Sequence, residues 1–318
     1  MTRPRKEQIS LTDTPYYHIV SRCVRRTFLC GFDKETHQNY DHRKQWLVDR
    51  IRLLSSLFTI DLCSYAIMSN HYHLVIKIEP EQSKHWTDHD VAQRWMAIYN
   101  GPLLVQRWIA GGTLSDAEKT TVNTIIMVWR KRLCDISWFM KCLNEPIARL
   151  ANKEDGCTGH FWESRYKSQA LLSENALLAC MVYVDLNPIR AGISKTPEDS
   201  DYTSIKERIS PKWSLENAIN THFKETAIQL KAPAKALLPF KGISDIDPDN
   251  KLPITLIDYL ELVDWTGRII REDKSGHILD SEPTIATRLS LQNDQWLTRA
   301  IYFEENYRQK VILKTNTS

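Results

Sequence analysis

Two β-rich runs separated by only two residues constrain this chain more than any other feature. Ile60 to Met68 is a continuous stretch of mainly apolar and aromatic residues. Ser69-Asn70 is a turn pair. His71 to Ile78 then alternates Tyr72, Leu74 and Ile76 against His71, His73, Val75 and Lys77. A period of two places these sets on opposite faces of a strand. Strands joined by so short a turn form an antiparallel hairpin, with one face free for a core and the other for chemistry.

Further elements build around this hairpin. Tyr16 to Cys23, with its aromatic and β-branched residues, reads as another strand. Residues 42–58 read as a helix, because Leu47, Ile51, Leu54 and Phe58 recur at helical spacing. A helix is expected near 88–99, another over 125–143, and a short one from Pro146 through Asn152. Residues 153–159 read as a loop and His160 to Leu172 as containing a strand. Ser173 is an N-cap for a helix over 174–186, and Pro188 disfavours helical geometry at Asn187. The order strand, helix, strand, strand, helices, strand, helix predicts an α+β fold. Its form is a ferredoxin-like split βαβ sandwich, an antiparallel sheet with helices on one face.

A length of 318 residues is roughly two domains. The expected organisation is a basic arm at 1–12, a domain at 13–207 with an insertion at about 80–124, and a mainly helical C-terminal extension at 208–318. In the extension, prolines punctuate short helical stretches, including Leu256 to Val263 and Gln292 to Tyr307. Trp265-Thr266-Gly267-Arg268 reads as a glycine turn after the first of these.

Charge and cysteine usage narrow the function classes. Residues 1–192 hold 25 Lys and Arg against 20 Asp and Glu, whereas residues 193–318 hold 17 against 19. The positive excess therefore lies in the first part and points to an anionic ligand there, with solvated surface charge as the alternative. No apolar run reaches the roughly 18 residues of a membrane-spanning helix, so no membrane partner is expected. Met1 to Lys6 has no apolar segment behind it and does not read as a signal peptide. Seven cysteines, none in a Cys-x-x-Cys pair, fit reduced thiols in a bacterial-type cytoplasm better than a disulfide framework or a zinc ribbon.

The residues that carry chemistry fall on the hairpin and the last helix of the domain. His71 and His73 project from one strand face and can either hold a divalent metal or rest as half-buried structural histidines. Tyr183 and Asn187 are neighbours on one shoulder of the 174–186 helix. They can reach a site on an adjacent sheet, or serve as an amphipathic packing residue and a helix-end cap.

Met68-Ser69-Asn70-His71-Tyr72-His73-Leu74-Val75-Ile76 resembles the His-hydrophobe-His strand of the single-tyrosine HUH transposases. Phe139-Met140-Lys141 through Leu150-Ala151-Asn152 is similar to that family's next helical block. Gly159-His160-Phe161-Trp162-Glu163-Ser164-Arg165-Tyr166-Lys167-Ser168 resembles its Gly-x-x-Trp-x-x-Arg-aromatic block. Tyr183-Val184-Asp185-Leu186-Asn187-Pro188-Ile189-Arg190-Ala191-Gly192 is similar to its signature helix end, and Tyr202-Thr203-Ser204 to its short terminal motif. The blocks occur in the family's order. The resemblance is closest to the REP-associated tyrosine transposases, spans roughly 13–207, and is poor over 80–124.

The resemblance implies a domain that nicks and rejoins single-stranded or hairpin DNA. Tyr183 is then the nucleophile, His71 and His73 are metal ligands, and Asn187 falls where related enzymes place a third ligand. The reaction gives a 5′-phosphotyrosine and a free 3′-hydroxyl, so strands rejoin without ATP. A phenol is mostly protonated at neutral pH and needs a metal or a base beside it. A hard, oxygen-rich substrate site suits Mg²⁺ or Mn²⁺. Candidate DNA contacts are Arg22, Arg25, Arg26, Arg165, Lys167 and Arg190. Trp162 is a stacking platform or a core residue, and Arg3, Arg5 and Lys6 form the basic arm. Localisation in the bacterial cytoplasm, with the nucleoid, follows from these readings. A monomer and a homodimer both remain open. Two other functions stay open beside the leading one: a domesticated hairpin-DNA-binding protein that does not cut, and a metal-dependent phosphohydrolase built on the same histidine pair.

Overall fold

The computed structural model describes residues 9–24, 29–32, 37–214, 218, 235–242 and 250–289. The chain runs β1 (Tyr16–Arg22), α1 (His42–Leu57), β2 (Ile60–Ile67), β3 (His71–Ile78), α2 (Asp88–Met96), α3 (Leu103–Ile109), α4 (Asp116–Leu133), α5 (Ile136–Glu154) and β4 (Lys167–Ala170). It continues with α6 (Glu174–Asp185), α7 (Asn187–Arg190), α8 (Ser204–Ile209) and α9 (Leu256–Arg268). A last short helix, α10, is Ile285–Arg288.

The four strands form one sheet in the order β2-β3-β1-β4, and every pairing is antiparallel. β3 lies between β1 and β2, which are linked through α1, so this is the expected split βαβ arrangement. On one face Tyr17 and Ile19 of β1 and Tyr72, Leu74 and Ile76 of β3 join Leu47, Ile51 and Leu54 of α1 and Phe139, Leu143 and Ile147 of α5 in a single buried cluster. The helices that connect the strands therefore share one face, but the expectation of helices on that face alone does not extend to the helices that follow β4. A second cluster on the other face packs Cys63, Ala66 and Val75 against Leu177, Met181 and Val184 of α6 and Tyr259, Leu260 and Val263 of α9. The helix after β4 thus crosses to the opposite side of the sheet.

The expected helix over 125–143 is two helices. The break falls at Cys134-Asp135, where the Asp135 side chain accepts a hydrogen bond from the Trp138 amide at 2.9 Å and caps α5. Apolar spacing runs on across this junction and conceals it. Pro146, expected at a helix start, lies inside α5. A proline there removes the hydrogen bond to the carbonyl four residues back. That carbonyl, of Cys142, instead accepts from Arg50 Nε at 3.0 Å.

The free edge of β2 is covered. Tyr65 N donates to Ser204 Oγ at 3.0 Å, and Leu238 N donates to the Leu62 carbonyl at 2.8 Å. Edge strands left bare template aggregation, and here the start of α8 and the Leu238 segment occupy that edge. α9 runs to Arg268, five residues past its expected end. Gly267 is not a turn residue but lies within the helix, where an added Cβ would sit 2.6 Å from Ile278 Cδ1 and 3.1 Å from Leu186 Cδ2. The expected helix over Gln292 to Tyr307 lies outside the described residues. Among the described residues no helix is long and apolar enough to cross a membrane.

Candidate functional site

β3 presents His71 and His73 on the face that α6 covers, because residues two apart on a strand point the same way. Strand register adds a third imidazole. Val20 is opposite His73 and His18 is opposite Val75, so His18 and His73 are diagonal neighbours, within reach for ring side chains. Their rings stack at 5.2 Å between centroids and 10° between planes. His18 Nε2 lies 2.9 Å from His73 Nδ1. His71 meets His73 edge to face at 4.9 Å.

α6 brings Tyr183 to this group. The helix starts at Ser173, whose hydroxyl accepts from the Ala176 amide at 3.1 Å. Leu177, Met181 and Val184 are buried, which leaves Tyr183 on the flank, 41% exposed. Its ring stands edge-on to His73 at 5.5 Å and to His18 at 6.1 Å. Residues from two distant stretches of sequence thus meet at one exposed phenol.

Asn187 sits one turn beyond Tyr183. Its Nδ2 donates to the Tyr183 carbonyl at 2.9 Å, which closes the end of α6 and leaves Oδ1 as the side chain's acceptor. Contrary to the expectation from Pro188, Asn187 is helical. It opens α7, and Pro188 occupies the first turn, where a missing N–H leaves no bond unmade.

The electrostatics favour neutral imidazoles. Burial lowers the pKa of His18 to about 4. Burial, with Arg22 adding to it, lowers His71 to about 4. His73 falls to about 2, through burial first and then the neighbouring His71, His18 and Arg22. The tautomer of His71 follows from its partner. Its Nδ1 is 2.5 Å from Asn70 Oδ1, an oxygen that only accepts, so Nδ1 holds the proton and Nε2 a lone pair. His73 Nε2 is buried with no hydrogen-bond partner among the described residues. If His73 Nδ1–H donates to His18 Nε2, that orphaned nitrogen is also a lone pair.

In that tautomer the two neutral imidazoles each offer an Nε2 lone pair, a donor set that suits a divalent cation. Asn187, one turn past Tyr183 on the same helix end, keeps Oδ1 free of the bonds that its Nδ2 makes to the Tyr183 and Val184 carbonyls. Among the described residues no group of three or more His, Cys, Asp and Glu side chains is arranged to hold a metal.

The expected DNA contacts divide by position. Arg22 ends β1 opposite His71, and Lys167 begins β4 opposite Val20. Register therefore places both on the sheet face of the three histidines, and both are exposed. Arg165 is exposed in the bend before β4 rather than on the strand. Trp162 is half-buried against the core, its Nε1 donating to the Asn144 carbonyl at 2.9 Å and its ring edge-on to Tyr72. Arg190 is buried, and its guanidinium donates to the Thr266 carbonyl at 2.7 Å and the Ile269 carbonyl at 2.6 Å. This engagement ties α7 to the end of α9, and a phosphate contact would have to share a guanidinium that already donates to two carbonyls. Arg3, Arg5, Lys6, Arg25 and Arg26 lie outside the described residues.

Sequence reasoning passes over His18. The available signal is its place on the strand face shared by Tyr16, Val20 and Arg22. Its meeting with His73 depends on the β1–β3 register, which is a long-range property.

No family model matches the chain, and no curated protein does. Among solved structures, that of a REP-associated tyrosine transposase bound to a REP hairpin is similar, with a TM-score of 0.38 and 11% identity. The similarity covers 67% of this chain and 92% of that one.

Proposed function

We propose that this chain is a divalent-metal-dependent nuclease and strand-transferase that cuts single-stranded or hairpin DNA with Tyr183. One observation carries the reading. An exposed phenol stands 5.5 Å, ring to ring, from a buried histidine whose Nε2 has no partner among the described residues. Most buried polar side-chain atoms are matched by a partner, so an unmatched ring nitrogen beside a phenol is consistent with a ligand site. The motif blocks that resemble the single-tyrosine HUH transposases support the same reading.

His71 and His73 would hold the ion through Nε2, and Asn187 through Oδ1. Mg²⁺ or Mn²⁺ bound there would polarise the scissile phosphate and neutralise its charge. His18 holds the His73 ring by stacking and by the 2.9 Å nitrogen contact. Tyr183 supplies the nucleophile. Its oxygen bonds to phosphorus as the phenol gives up its proton. The bond from phosphorus to the 3′-oxygen breaks, and that oxygen takes up a proton. The products are a 5′-phosphotyrosine and a 3′-hydroxyl. The reverse attack by a 3′-hydroxyl rejoins the strand and restores the phenol. Arg22 and Lys167, exposed on the same face, suit the flanking phosphates.

The test is incubation of the chain with labelled single-stranded hairpins of random loop and flank sequence, with Mn²⁺. The reading expects strands covalently captured on the protein and released 3′-hydroxyl ends. Metal-independent cleavage, or metal-dependent cleavage without a captured strand, would count against it.

A further inference from the structure

Beside Tyr183 a cavity of about 430 Å³ opens between α6 and α7 on one side and the end of α9 with the segment that follows it on the other. Its floor is apolar, formed by Leu178 and Val182 of α6 and Leu262 and Ile269 of the opposite wall. Tyr183 and Asn187 also line it. Arg190, Arg271 and Lys274 line it too, and among the described residues no carboxylate does.

The cationic wall is fixed in place. Ser275 N and Oγ both donate to the Arg190 carbonyl at 3.2 Å. At Gly276 an added Cβ would fall 2.0 Å from the Ile189 carbonyl oxygen, so only glycine lets this turn seat against α7. Arg190 is committed to the carbonyls of Thr266 and Ile269 and serves as structure. Asp273 pairs with Arg271 at 2.9 Å and lies 3.8 Å from Lys274. Both of those cations nonetheless border the cavity while Asp273 does not. Its volume lies within the roughly 300–1,000 Å³ of small-molecule pockets. An apolar floor beneath a cationic rim matches one unstacked nucleobase with its phosphates outside.

We propose that this cavity is a nucleotide subsite, taking one unstacked base of the single strand next to the bond Tyr183 attacks, with the adjoining phosphates over Arg271 and Lys274. The proposal rests on the nuclease reading, since continuity with Tyr183 selects a nucleic-acid strand over an apolar peptide. The C-terminal extension then forms one wall of the strand's path.

The test measures binding by fluorescence anisotropy with two probes. One is a pool of 30-nucleotide single strands of random sequence, and the other is an all-abasic strand of the same length. The chain is compared with Ala179→Trp, which fills the cavity from an exposed position on α6, and with Arg271→Ala/Lys274→Ala. The wild-type chain should prefer the base-bearing pool about five- to hundredfold, the range of base contacts worth about 1–3 kcal/mol. Ala179→Trp should abolish that preference. The double variant should lower the slope of log affinity against log salt by about 0.7 per lost phosphate contact. Variants that bind both probes as the wild type does would overturn the subsite, as would equal wild-type binding of the two probes. Adduct formation on the same pool separates the two readings. Adducts with unaltered variant binding would sink the subsite alone, whereas cavity-dependent binding without adducts in the wild type would sink the chemistry alone.

Discussion

His18 Nε2 lies 2.9 Å from His73 Nδ1, and the two rings stack 5.2 Å apart across the β1–β3 pair. His73 Nε2 is buried and has no hydrogen-bond partner among the described residues, and the His73 ring lies 5.5 Å from that of Tyr183. His18 is therefore a positioning residue. In the proposed reaction it binds no metal itself but holds the ring of the residue that would, by stacking and the nitrogen contact.

His18→Ala should weaken Mn²⁺ binding by about 10- to 100-fold, the usual effect of losing such an outer partner. His18→Gln, which keeps a hydrogen-bonding atom, should recover part of it. Titration calorimetry or the EPR signal of free Mn²⁺ reads this directly. Unaltered Mn²⁺ affinity in His18→Ala would remove His18 from the account.

His71→Ala and His73→Ala should each abolish saturable Mn²⁺ binding while single-stranded DNA is still retained, because Arg22 and Lys167 remain. Chains that bind Mn²⁺ as tightly as the wild type without either imidazole would place the metal elsewhere.

Arg190→Ala should destabilise the fold by about 3 kcal/mol, since a charged donor to two carbonyls is lost. The segment around Thr266–Gly276 should become sensitive to proteolysis. A variant of wild-type stability with weakened DNA binding would restore Arg190 to the phosphate contacts.

Asp185 gives a pH signature. It is buried and accepts from Ser204 Oγ at 2.6 Å, Ile205 N at 3.1 Å and Tyr259 OH at 2.6 Å. Burial still raises its pKa to about 6, above the unfolded value of about 3.9. Between about pH 4 and 6 the folded state thus holds a proton that the unfolded state has lost. This group's contribution to stability is greatest below the unfolded pKa and is lost as pH rises through about 6. The buried histidines contribute in the opposite sense, so a variant is needed to isolate it. The stability of Asp185→Asn relative to the wild type should rise across about pH 4–6, by up to about 1.4 kcal/mol per pH unit, and level off above. Denaturant unfolding at stepped pH checks this, and a flat difference would contradict the assigned pKa.

Local signals make much of this molecule legible in its sequence. The β2–β3 hairpin, α1, and the Ser173 start of α6 follow from period, turn and cap, all short-range. The α4–α5 break is hidden because Leu133 and Ile136 continue one apolar stripe across the Asp135 cap. Pro146 misleads because its tolerance inside α5 depends on Arg50, 96 positions earlier in numbering, supplying the Cys142 carbonyl with a donor. His71, His73 and Tyr183 stand out as candidates through motif blocks. His18 and the Arg190 anchor are not, since both depend on pairing between distant segments. The end of α9 is concealed because Gly267 has a packing reason, the close approach of Ile278 and Leu186, that looks like a turn signal in one dimension.

The central claim is tested most directly by trapping the covalent product. The chain and Tyr183→Phe are incubated with Mn²⁺ and labelled single-stranded hairpin DNA, denatured, digested and read by mass spectrometry. The account predicts a nucleotide adduct on the peptide that holds Tyr183, no adduct in Tyr183→Phe, and equal DNA binding by both chains. Undiminished cleavage by Tyr183→Phe, or an adduct on another residue, would contradict it.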